Sequence, residues 1–339
     1  MNVLALSLSL MLAPPAPPVG PELLSAPDED VFALRASGTR VAALYDAHSA
    51  DGRVLRQVSL KKKASLPAPA GEVAQREPFF VGAKRTGSVQ LGADGVWSVR
   101  LDGKPACAAS SAADLQAAAS PDGRWVVFVS GRSGQGDLYR VAADGKVGQA
   151  PERLSSGVLA ELLPVWSPDS ASVLALRLTD RGRELVLFSG FGATAREAVI
   201  VDDRLAPINA VFRPDGQTVA FVSRTWSTET TLYTVPATGG PASSVLKGVS
   251  ETAPVWVPGK DNRWLLLAVT QRDAVVALDP LGGLALVATQ AFGHGELAVA
   301  QLGGERVLLF TALGLTTETA PRPLGRAGLY RMSLPATVE

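Results

Sequence analysis

The stretch SPDGRWVVFVS, residues 120–130, joins a turn signature to a run of apolar residues. Pro121 presets φ at about −65° in a tight turn, and the Asp122 carboxylate can accept a hydrogen bond from a backbone N–H ahead of it. Gly123 can take the positive φ that closes a three-residue hairpin into the next strand. Residues 126–129 are apolar throughout, which is typical of a strand covered on both faces. The stretch therefore predicts a sheet-forming turn rather than a chemical site.

The same pattern recurs three more times along the chain. The related stretches are VWSPDSASVLAL (165–176), VFRPDGQTVAFVS (211–223) and VWVPGKDNRWLLL (255–267). The four prolines are spaced by 47, 46 and 44 residues, and a period of about 45 residues is typical of propeller blades. Trp166, Phe212 and Trp256 precede these turns, where a large ring can pack between neighbouring sheets. Only a closed ring would bury both faces of every such sheet.

Weaker copies extend the repeat in both directions. Residues 34–44 match the third copy with Ala36 and Ser37 in place of Pro-Asp, residues 303–310 carry the same step, and residues 78–81 form a strand without the turn signature. A second short strand recurs downstream, at residues 96–101, 137–141, 231–235 and 328–332. The count predicts an all-β propeller of seven four-stranded antiparallel blades. Only the alanine-rich residues 112–119 could also form a helix. The structural turn residues are Pro121, Asp122, Gly123, Pro168, Asp169, Pro214, Asp215 and Gly216.

The turn signature, which reads SPDG at 120–123 and WSPDS at 166–170, its apolar strand and the D-L-Y-x-V strand at 137–141 resemble the PD40 (WD40-like) repeat of TolB-like β-propellers. The resemblance covers residues 31–334 and is strongest in the copies at Pro121, Pro168 and Pro214. It implies a propeller without the α/β domain of TolB and without the hydrolase domain of propeller peptidases. TolB-like propellers usually have six blades. Six remains the alternative count if residues 31–60 supply only a strand that closes the ring.

The N-terminus predicts export. Residues 3–12 form an apolar run that is too short to span a bilayer, and residues 13–16 offer a cleavage zone, although no Lys or Arg precedes the run. We therefore expect residues 1–20 to be a signal peptide with a Pro-rich linker, and residues 21–339 to be one propeller domain. An apolar tail docked on the body is the alternative. The expected location is the bacterial periplasm or the outside of the cell.

The composition restricts partners and cofactors. The 339 residues carry 32 basic and 32 acidic side chains, so no long-range field favours nucleic acid. Cys107 is the single cysteine, which excludes an intramolecular disulfide and a cysteine-rich zinc site. His48 and His294 are the only histidines, which leaves little material for a multi-histidine metal site. We expect no cofactor, no membrane span and a monomer.

Several residues could carry chemistry, but each has a structural interpretation. Ring closure would place Asp122 and its two equivalents on one rim, where they could bind a cation, yet each aspartate more simply serves its own turn. Ser133 lacks the strand-to-helix context of a nucleophile elbow. The pair 202–203 could contact Ca²⁺, although a solvated loop fits better. His294, near Glu296, could serve acid–base chemistry or simply belong to a loop.

The loop at residues 224–230 is the best candidate interface, because Trp226 and Arg224 lie between strands in a segment rich in hydroxyl groups. Packing of Trp226 over a blade edge is the alternative. We expect no catalytic residue, and hence a non-enzymatic, exported propeller that binds a protein or an envelope component. The alternative is a lyase- or lactonase-like propeller enzyme with its site in the axial channel.

Overall fold

The computed structural model of the chain describes residues 20–37, 42–49, 52–66, 74–225, 229–259, 263–316 and 325–334. Apart from two single-turn 3-10 helices, Gly192–Thr194 and Asp203–Leu205, the regular structure in these residues is β-strand. None of the helices in this part of the chain is long and apolar enough to cross a membrane. Residues 112–119 contain the strand Asp114–Ala119 and no helix.

Thirty strands form seven four-stranded antiparallel sheets and one two-stranded ribbon in the described residues. The strands are β1 (Glu22–Leu23); β2 (Asp30–Ser37), β3 (Ala42–Ser49), β4 (Gly52–Ser59) and β5 (Ala64–Leu66) in blade 1; β6 (Gln75–Val81), β7 (Arg85–Leu91), β8 (Trp97–Leu101) and β9 (Lys104–Pro105) in blade 2; β10 (Asp114–Ala119), β11 (Trp125–Ser130), β12 (Asp137–Ala142) and β13 (Glu152–Arg153) in blade 3; β14 (Glu161–Trp166), β15 (Ser172–Leu178), β16 (Arg183–Ser189) and β17 (Arg196–Val201) in blade 4; β18 (Pro207–Phe212), β19 (Thr218–Ser223), β20 (Thr231–Pro236) and β21 (Ser243–Lys247) in blade 5; β22 (Val255–Pro258), β23 (Trp264–Val269), β24 (Val275–Leu278) and β25 (Leu284–Val287) in blade 6; β26 (Ala291–Phe292) and β29 (Gly314–Leu315) in the ribbon; and β27 (Leu297–Leu302), β28 (Glu305–Ala312) and β30 (Gly328–Ser333) in blade 7. The predicted all-β, seven-bladed propeller is confirmed.

The ring closes in blade 7, where β1 from the N-terminal side pairs with β30 as the outer strand. Glu22 lies opposite Arg331 and accepts a hydrogen bond from it at 3.0 Å, and it also pairs with Lys63 of blade 1 at 2.8 Å. The six-blade alternative is wrong, because residues 31–60 form three strands of a complete blade. The strand β3 is buried over most of its length, as a strand with sheets on both sides must be.

The Pro-Asp turns join the first and second strands of their blades. The Gly123 N–H donates to the Ser120 carbonyl at 2.9 Å, and the Ser120 N–H donates to the Trp125 carbonyl at 2.8 Å. The loop therefore holds four residues rather than the expected three. Gly123 has φ +72°, and Gly216 has φ +75° in the equivalent turn. Each turn reverses the chain with little loop length, which keeps successive strands in register.

Apolar side chains fill the interfaces between most neighbouring blades. Trp166 is an example, because it packs with Val127 of blade 3 and Val173 of blade 4 while its indole N–H donates to the Ala118 carbonyl at 3.1 Å. Similar clusters join blades 2 and 3, 4 and 5, 5 and 6, 6 and 7, and 7 and 1. Trp256 lies in the cluster between blades 5 and 6. The large rings ahead of the turns therefore pack between sheets, as the sequence predicts.

The interface between blades 1 and 2 is different because it buries polar groups. Val89 packs toward blade 3, so the flanking Ser88 and Gln90 face blade 1. Both are buried, and Gln90 donates to Gln75 at 3.2 Å and to Ser88 at 3.0 Å. Asp46 of blade 1 is fully buried nearby and accepts the N–H of an inner-strand residue of blade 2.

The ring has two distinct faces. The first strands of neighbouring blades contact each other around the axis and form the wall of the channel. Since adjacent strands are antiparallel, every inner strand begins on one face, and the Pro-Asp turns lie on the opposite one. We term the face on which the inner strands begin the upper face, and the face that carries the Pro-Asp turns the turn face. Loops that precede inner strands and loops that follow second strands lie on the upper face.

Candidate functional site: the channel and the upper face

Bulges interrupt the inner strands of the first four blades at the channel wall. Each bulge is a register shift that contains one left-handed residue: Ala33, Glu77, Gln116 and Leu163, with φ of 53°, 53°, 52° and 51°. A bulge removes a backbone N–H from the sheet, and that group then needs another acceptor. The four blades carry the same bulge at equivalent places. The channel wall therefore has a regular set of backbone N–H groups that are not bonded within the sheet.

Side chains of neighbouring blades supply the missing acceptors. The Glu77 N–H donates to Asp46 Oδ2 at 3.3 Å, the Gln116 N–H donates to Glu77 Oε2 at 2.5 Å, and the Leu163 N–H donates to Gln116 Oε1 at 2.8 Å. Each polar side chain thus ties its own blade to the next blade. Burial raises the pKa of the Asp46 carboxyl even though Arg53 pairs with it. These polar groups at the channel wall are bound to the scaffold itself.

His294 belongs to a buried cluster beside blade 7. Its Nδ1 lies 2.7 Å from Asp273 Oδ1 and its Nε2 lies 2.6 Å from the Thr289 hydroxyl, while its side chain is only 2% exposed. Burial alone would raise the pKa of Asp273, but two backbone N–H groups and the imidazole lower it. Glu296, the carboxylate next to His294 in sequence, instead accepts the Leu34 N–H of blade 1 at 2.5 Å. The cluster fastens the ribbon of β26 and β29 to blade 6.

An arginine with three carboxylates supports the upper face at blade 4. Arg177 lies 2.8 Å from Glu161, 2.6 Å from Glu197 and 3.8 Å from Glu184, and its side chain is 12% exposed. Glu161 is 0% exposed, and its Oε2 has no hydrogen-bond partner within the described part of the chain. Burial raises the pKa of Glu161 despite the guanidinium beside it. The cluster therefore holds three carboxylates and one cation. Arg177 is the counter-ion that reduces the repulsion between these carboxylates.

Cys107 and Ser133 have structural environments. Arg132 binds Asp114 through both carboxylate oxygens at 2.8 and 2.9 Å and lies 3.7 Å from the Cys107 sulfur. Burial, together with the Asp114 carboxylate, raises the pKa of the Cys107 thiol, which disfavours the nucleophilic thiolate. Ser133 lies in the loop between β11 and β12 and donates its hydroxyl to Asp137. The Asp137 carboxylate also accepts hydrogen bonds from Arg153 at 2.8 Å and from the Ser155 hydroxyl at 3.1 Å, so it belongs to the scaffold.

The aspartates of the three turns lie on the turn face, but each is engaged by its own turn. Asp122, Asp169 and Asp215 accept the N–H two residues ahead, at 3.0 Å in every case. Burial would raise the pKa of Asp122, but hydrogen bonds from Ser120 and Arg124 lower it to about 2. Within the described ranges, no three His, Cys, Asp or Glu side chains come together in a way that could hold a metal ion.

The acidic pair of residues 202–203 has the same local character. Asp202 accepts the Arg204 N–H at 3.2 Å at the start of the 3-10 turn Asp203–Leu205, and it also pairs with the Arg204 guanidinium. Asp203 accepts the Thr179 hydroxyl at 3.1 Å. Both carboxylates therefore shape the loop that connects blades 4 and 5 on the upper face.

Exposed apolar side chains gather on the upper face. Val158 and Leu159, in the loop before β14, and Leu178, at the end of β15, form what we term the blade-4 patch. The Leu178 N–H donates to the Ala160 carbonyl at 2.8 Å, which keeps these segments adjacent. Phe292 and Leu313 form a blade-7 patch, where the Leu313 N–H donates to the Phe292 carbonyl at 2.9 Å. Sequence reasoning missed both patches, since no local pattern marks an apolar residue as exposed.

The described ends of the predicted interface loop, Arg224 and Thr230, lie on the same face, in blade 5. Arg224 follows β19, is exposed and pairs with Glu251, which is also exposed. Trp226 lies outside the described residues. The blade-4 patch, Arg224 and the blade-7 patch thus occur on blades 4, 5 and 7 around one mouth of the channel.

Comparisons with known proteins support the fold and leave the activity open. No family model and no curated protein matches the chain. A protein from Agrobacterium tumefaciens assigned as TolB is similar at 16% identity and TM-score 0.52, over 65% of this chain and 81% of that one. An oligogalacturonate lyase in complex with manganese is similar at 13% identity and TM-score 0.65, over 94% of both chains. A puromycin-hydrolyzing peptidase from Mycobacterium tuberculosis is similar at 14% identity and TM-score 0.64, over 88% of this chain and 53% of that one, so this chain spans about half of the peptidase. The chain is therefore a TolB-like β-propeller in fold, and the same fold occurs in a lyase and a peptidase.

Proposed function

We propose that this chain is a non-enzymatic, exported β-propeller that binds a protein or another envelope component on its upper face. The observation that carries the proposal is the blade-4 patch, where Val158 is 78% exposed beside Leu159 and Leu178. Six of the eleven large apolar side chains that are exposed in the described residues lie on this face or in the adjoining channel wall. Clustered exposed apolar groups mark interaction sites on otherwise polar surfaces.

The support beneath the patch favours a preformed docking site. Arg177 in β15 binds Glu161 in β14 and Glu197 in β17, so it links three strands of blade 4. The loop that bears Val158 leads directly into this cross-linked sheet. A rigid patch loses little conformational entropy when a partner docks on it. The blade-7 patch and Arg224 lie on the same face and extend the candidate contact area around the channel mouth. Trp226 stays a predicted anchor of this interface.

The alternative is an enzyme with its site in the axial channel. It would need an acid–base pair or a metal cluster that is free to act on a substrate. In the described residues, Glu77, Gln116 and Glu296 accept backbone N–H groups of adjacent blades, and His294 is buried between Asp273 and Thr289. These arrangements favour a scaffold role for the polar groups, and we therefore prefer binding.

We also propose export to the periplasm or the cell exterior, on the basis of the apolar run at residues 3–12 and the small residues after it. The test is mass spectrometry of the protein purified from its native host. A new N-terminus between residues 13 and 20 is the expected result. An intact Met1 would contradict cleavage.

The binding proposal is tested by comparative capture from envelope extracts with quantitative mass spectrometry. The test variant is Leu159→Asp with Leu178→Asp, and the matched control is Val147→Asp, which changes an exposed apolar residue on the turn face. We expect a partner that wild type and control retain equally and that the test variant loses by about tenfold or more. Direct titration with that purified partner should give similar affinities for wild type and control, and a weaker affinity for the test variant. Equal capture by all three proteins would refute the upper-face site.

A further inference from the structure

We propose that the outer strand of blade 6, β25, pairs edge to edge with β25 of a second copy of this chain. The strand is bonded only to β24 on its inner side in the described residues. Leu284 and Leu286 point away from the blade-7 side of the sheet and are 62% and 66% exposed, and Leu281 in the preceding turn is 92% exposed. An edge strand with exposed apolar residues is a template for another strand.

The charge pattern distinguishes β25 from the other outer strands. Residues 280–290 contain no charged side chain, and their one proline, Pro280, lies in the turn four residues before β25 begins. Proteins usually protect a free sheet edge with charges or proline, because these disfavour pairing with another edge. The other outer strands carry such protection or are flanked by it: Glu22 in β1, Lys61, Lys62 and Lys63 before β5, Lys104 and Pro105 in β9, Glu152 and Arg153 in β13, Arg196 and Glu197 in β17, and Lys247 in β21.

The register of β25 suits self-pairing. A two-fold axis perpendicular to the sheet and midway between the two copies of Ala285 places Leu284 of one copy opposite Leu286 of the second copy, and the reverse. Directly opposed residues of an antiparallel pair lie on one sheet face, so the four leucines would form one cluster. Self-pairing of an uncharged edge opposes no like charges and leaves no buried ion without a counter-ion. A second copy is therefore the occupant that matches the chemistry of the strand best.

The interface would be small, since β25 has only four residues. Interfaces below about 1,000 Å² are typical of weak, reversible complexes, so we expect a concentration-dependent dimer in place of the predicted monomer. The strand lies on the outer wall of the ring, which leaves both upper faces open. A dimer would then present two copies of any upper-face binding site, but the β25 contact does not depend on that site.

Sedimentation velocity over about 1 to 200 µM full-length protein tests the pairing. The test variant is Leu286→Lys, and the matched control is Val199→Lys on β17, another exposed apolar residue of an outer strand. We expect reversible dimerisation in wild type and control, and a dissociation constant at least about a hundredfold higher in Leu286→Lys. Leu284→Lys should behave like Leu286→Lys, and circular dichroism checks that both variants fold.

Cysteine crosslinking tests the register. In the proposed dimer Ala285 faces its own copy, and directly opposed residues have Cα atoms about 4.5 to 5.5 Å apart, which a disulfide can span. Mild oxidation of Ala285→Cys should give a covalent dimer, whereas Val199→Cys should not, and the native Cys107 is buried. A wild type that is monomeric over the whole range overturns the proposal. A monomer that binds phosphatidylcholine vesicles through Leu286 also overturns it and assigns the strand to a lipid surface.

Discussion

Replacement of Arg177 by methionine should destabilise the propeller strongly, because this residue holds three carboxylates at blade 4. Methionine has a similar length and is apolar, so the change mainly removes the charge and its hydrogen bonds. Glu161 is 0% exposed and would lose its cation, while Glu197 would lose its ion pair with Arg177 at 2.6 Å. The variant thus leaves a buried carboxylate without a counter-ion, close to other carboxylates.

The expected cost follows from the burial of the pair. Removal of one partner from a buried ion pair costs about 3 to 5 kcal/mol, and Arg177 retains some solvent contact, so we expect about 3 kcal/mol at pH 8. At about 2 °C per kcal/mol for a chain of this size, the melting temperature should fall by roughly 6 °C. The double variant Arg177→Met with Glu161→Gln removes the orphaned charge and should recover about half of the loss.

The pH dependence of the loss gives a further check. Burial raises the pKa of Glu161 in the folded protein, so the folded state binds this proton more tightly than the unfolded state. The associated stability is present at low pH and is lost as the pH rises through the folded pKa. Without Arg177 that pKa rises further, and the deficit of Arg177→Met should be smaller at pH 5 than at pH 8.

Urea denaturation followed by tryptophan fluorescence, with calorimetry at both pH values, measures these differences. Conservative substitution to lysine serves as the control, since Arg177→Lys keeps the charge and should lose less stability than Arg177→Met. Equal free energies of unfolding for wild type and Arg177→Met at pH 8 would show that Arg177 does not stabilise the carboxylate cluster. A double variant no more stable than the single one would also refute the reasoning, because the loss would then not come from the stranded carboxylate.

Three further predictions concern the turns and the ribbon. Asp122→Ala should lower the free energy of unfolding by about 1 kcal/mol at neutral pH. Because the pKa of Asp122 is lowered to about 2, this difference should decrease as the pH drops from 4 toward 2. A difference that stays constant in urea titrations over this pH range would contradict the prediction. Gly123→Ala should destabilise more than Gly95→Ala by about 1 kcal/mol in thermal denaturation. Both glycines have positive φ, but a Cβ at Gly123 would lie 3.1 Å from the Gly82 backbone and one at Gly95 meets nothing within 4 Å; equal losses would contradict this account. Asp273→Ala should speed hydrogen–deuterium exchange in β26 and β29 and leave blade 3 unchanged, whereas unchanged exchange in the ribbon would show that the His294 cluster does not fasten it.

The repeat was readable from the sequence because each Pro-Asp turn is a local signal. Pro121 and Asp122 act within a few residues, and the apolar run after them needs no knowledge of distant chain segments. The closing strand β1 gave no such signal, since Glu22 and Leu23 pair with a partner about 300 residues away. The sequence therefore predicted seven units correctly but left open which segment closes the ring.

The candidate site was less accessible to sequence reasoning than the fold. Exposure of Leu178 or Leu159 depends on where the ring places the end of each strand, and an apolar residue looks the same in sequence whether a neighbouring blade covers it or not. The carboxylate partner of His294 was also missed. The sequence suggested Glu296, which is two residues away, whereas the partner is Asp273 on a loop of blade 6. Contacts between blades set both features, and a pattern within one blade does not encode them.

The distribution of polar and apolar interfaces follows from the connectivity of the ring. Blades 1 and 2 are consecutive in the chain, and their interface buries Ser88, Gln90 and Asp46, which contribute less to association than apolar groups would. Blade 7 combines β1 from the N-terminal side with three strands from the C-terminal end of the chain, and only noncovalent contacts hold those three strands to β1 and to blade 1. That interface has an apolar cluster, and the pairing of β1 with β30 and the ion pair of Glu22 with Lys63 reinforce it. Strong association thus occurs where the entropy of joining the chain ends is largest, and a polar interface is tolerated where the chain already keeps the two blades close.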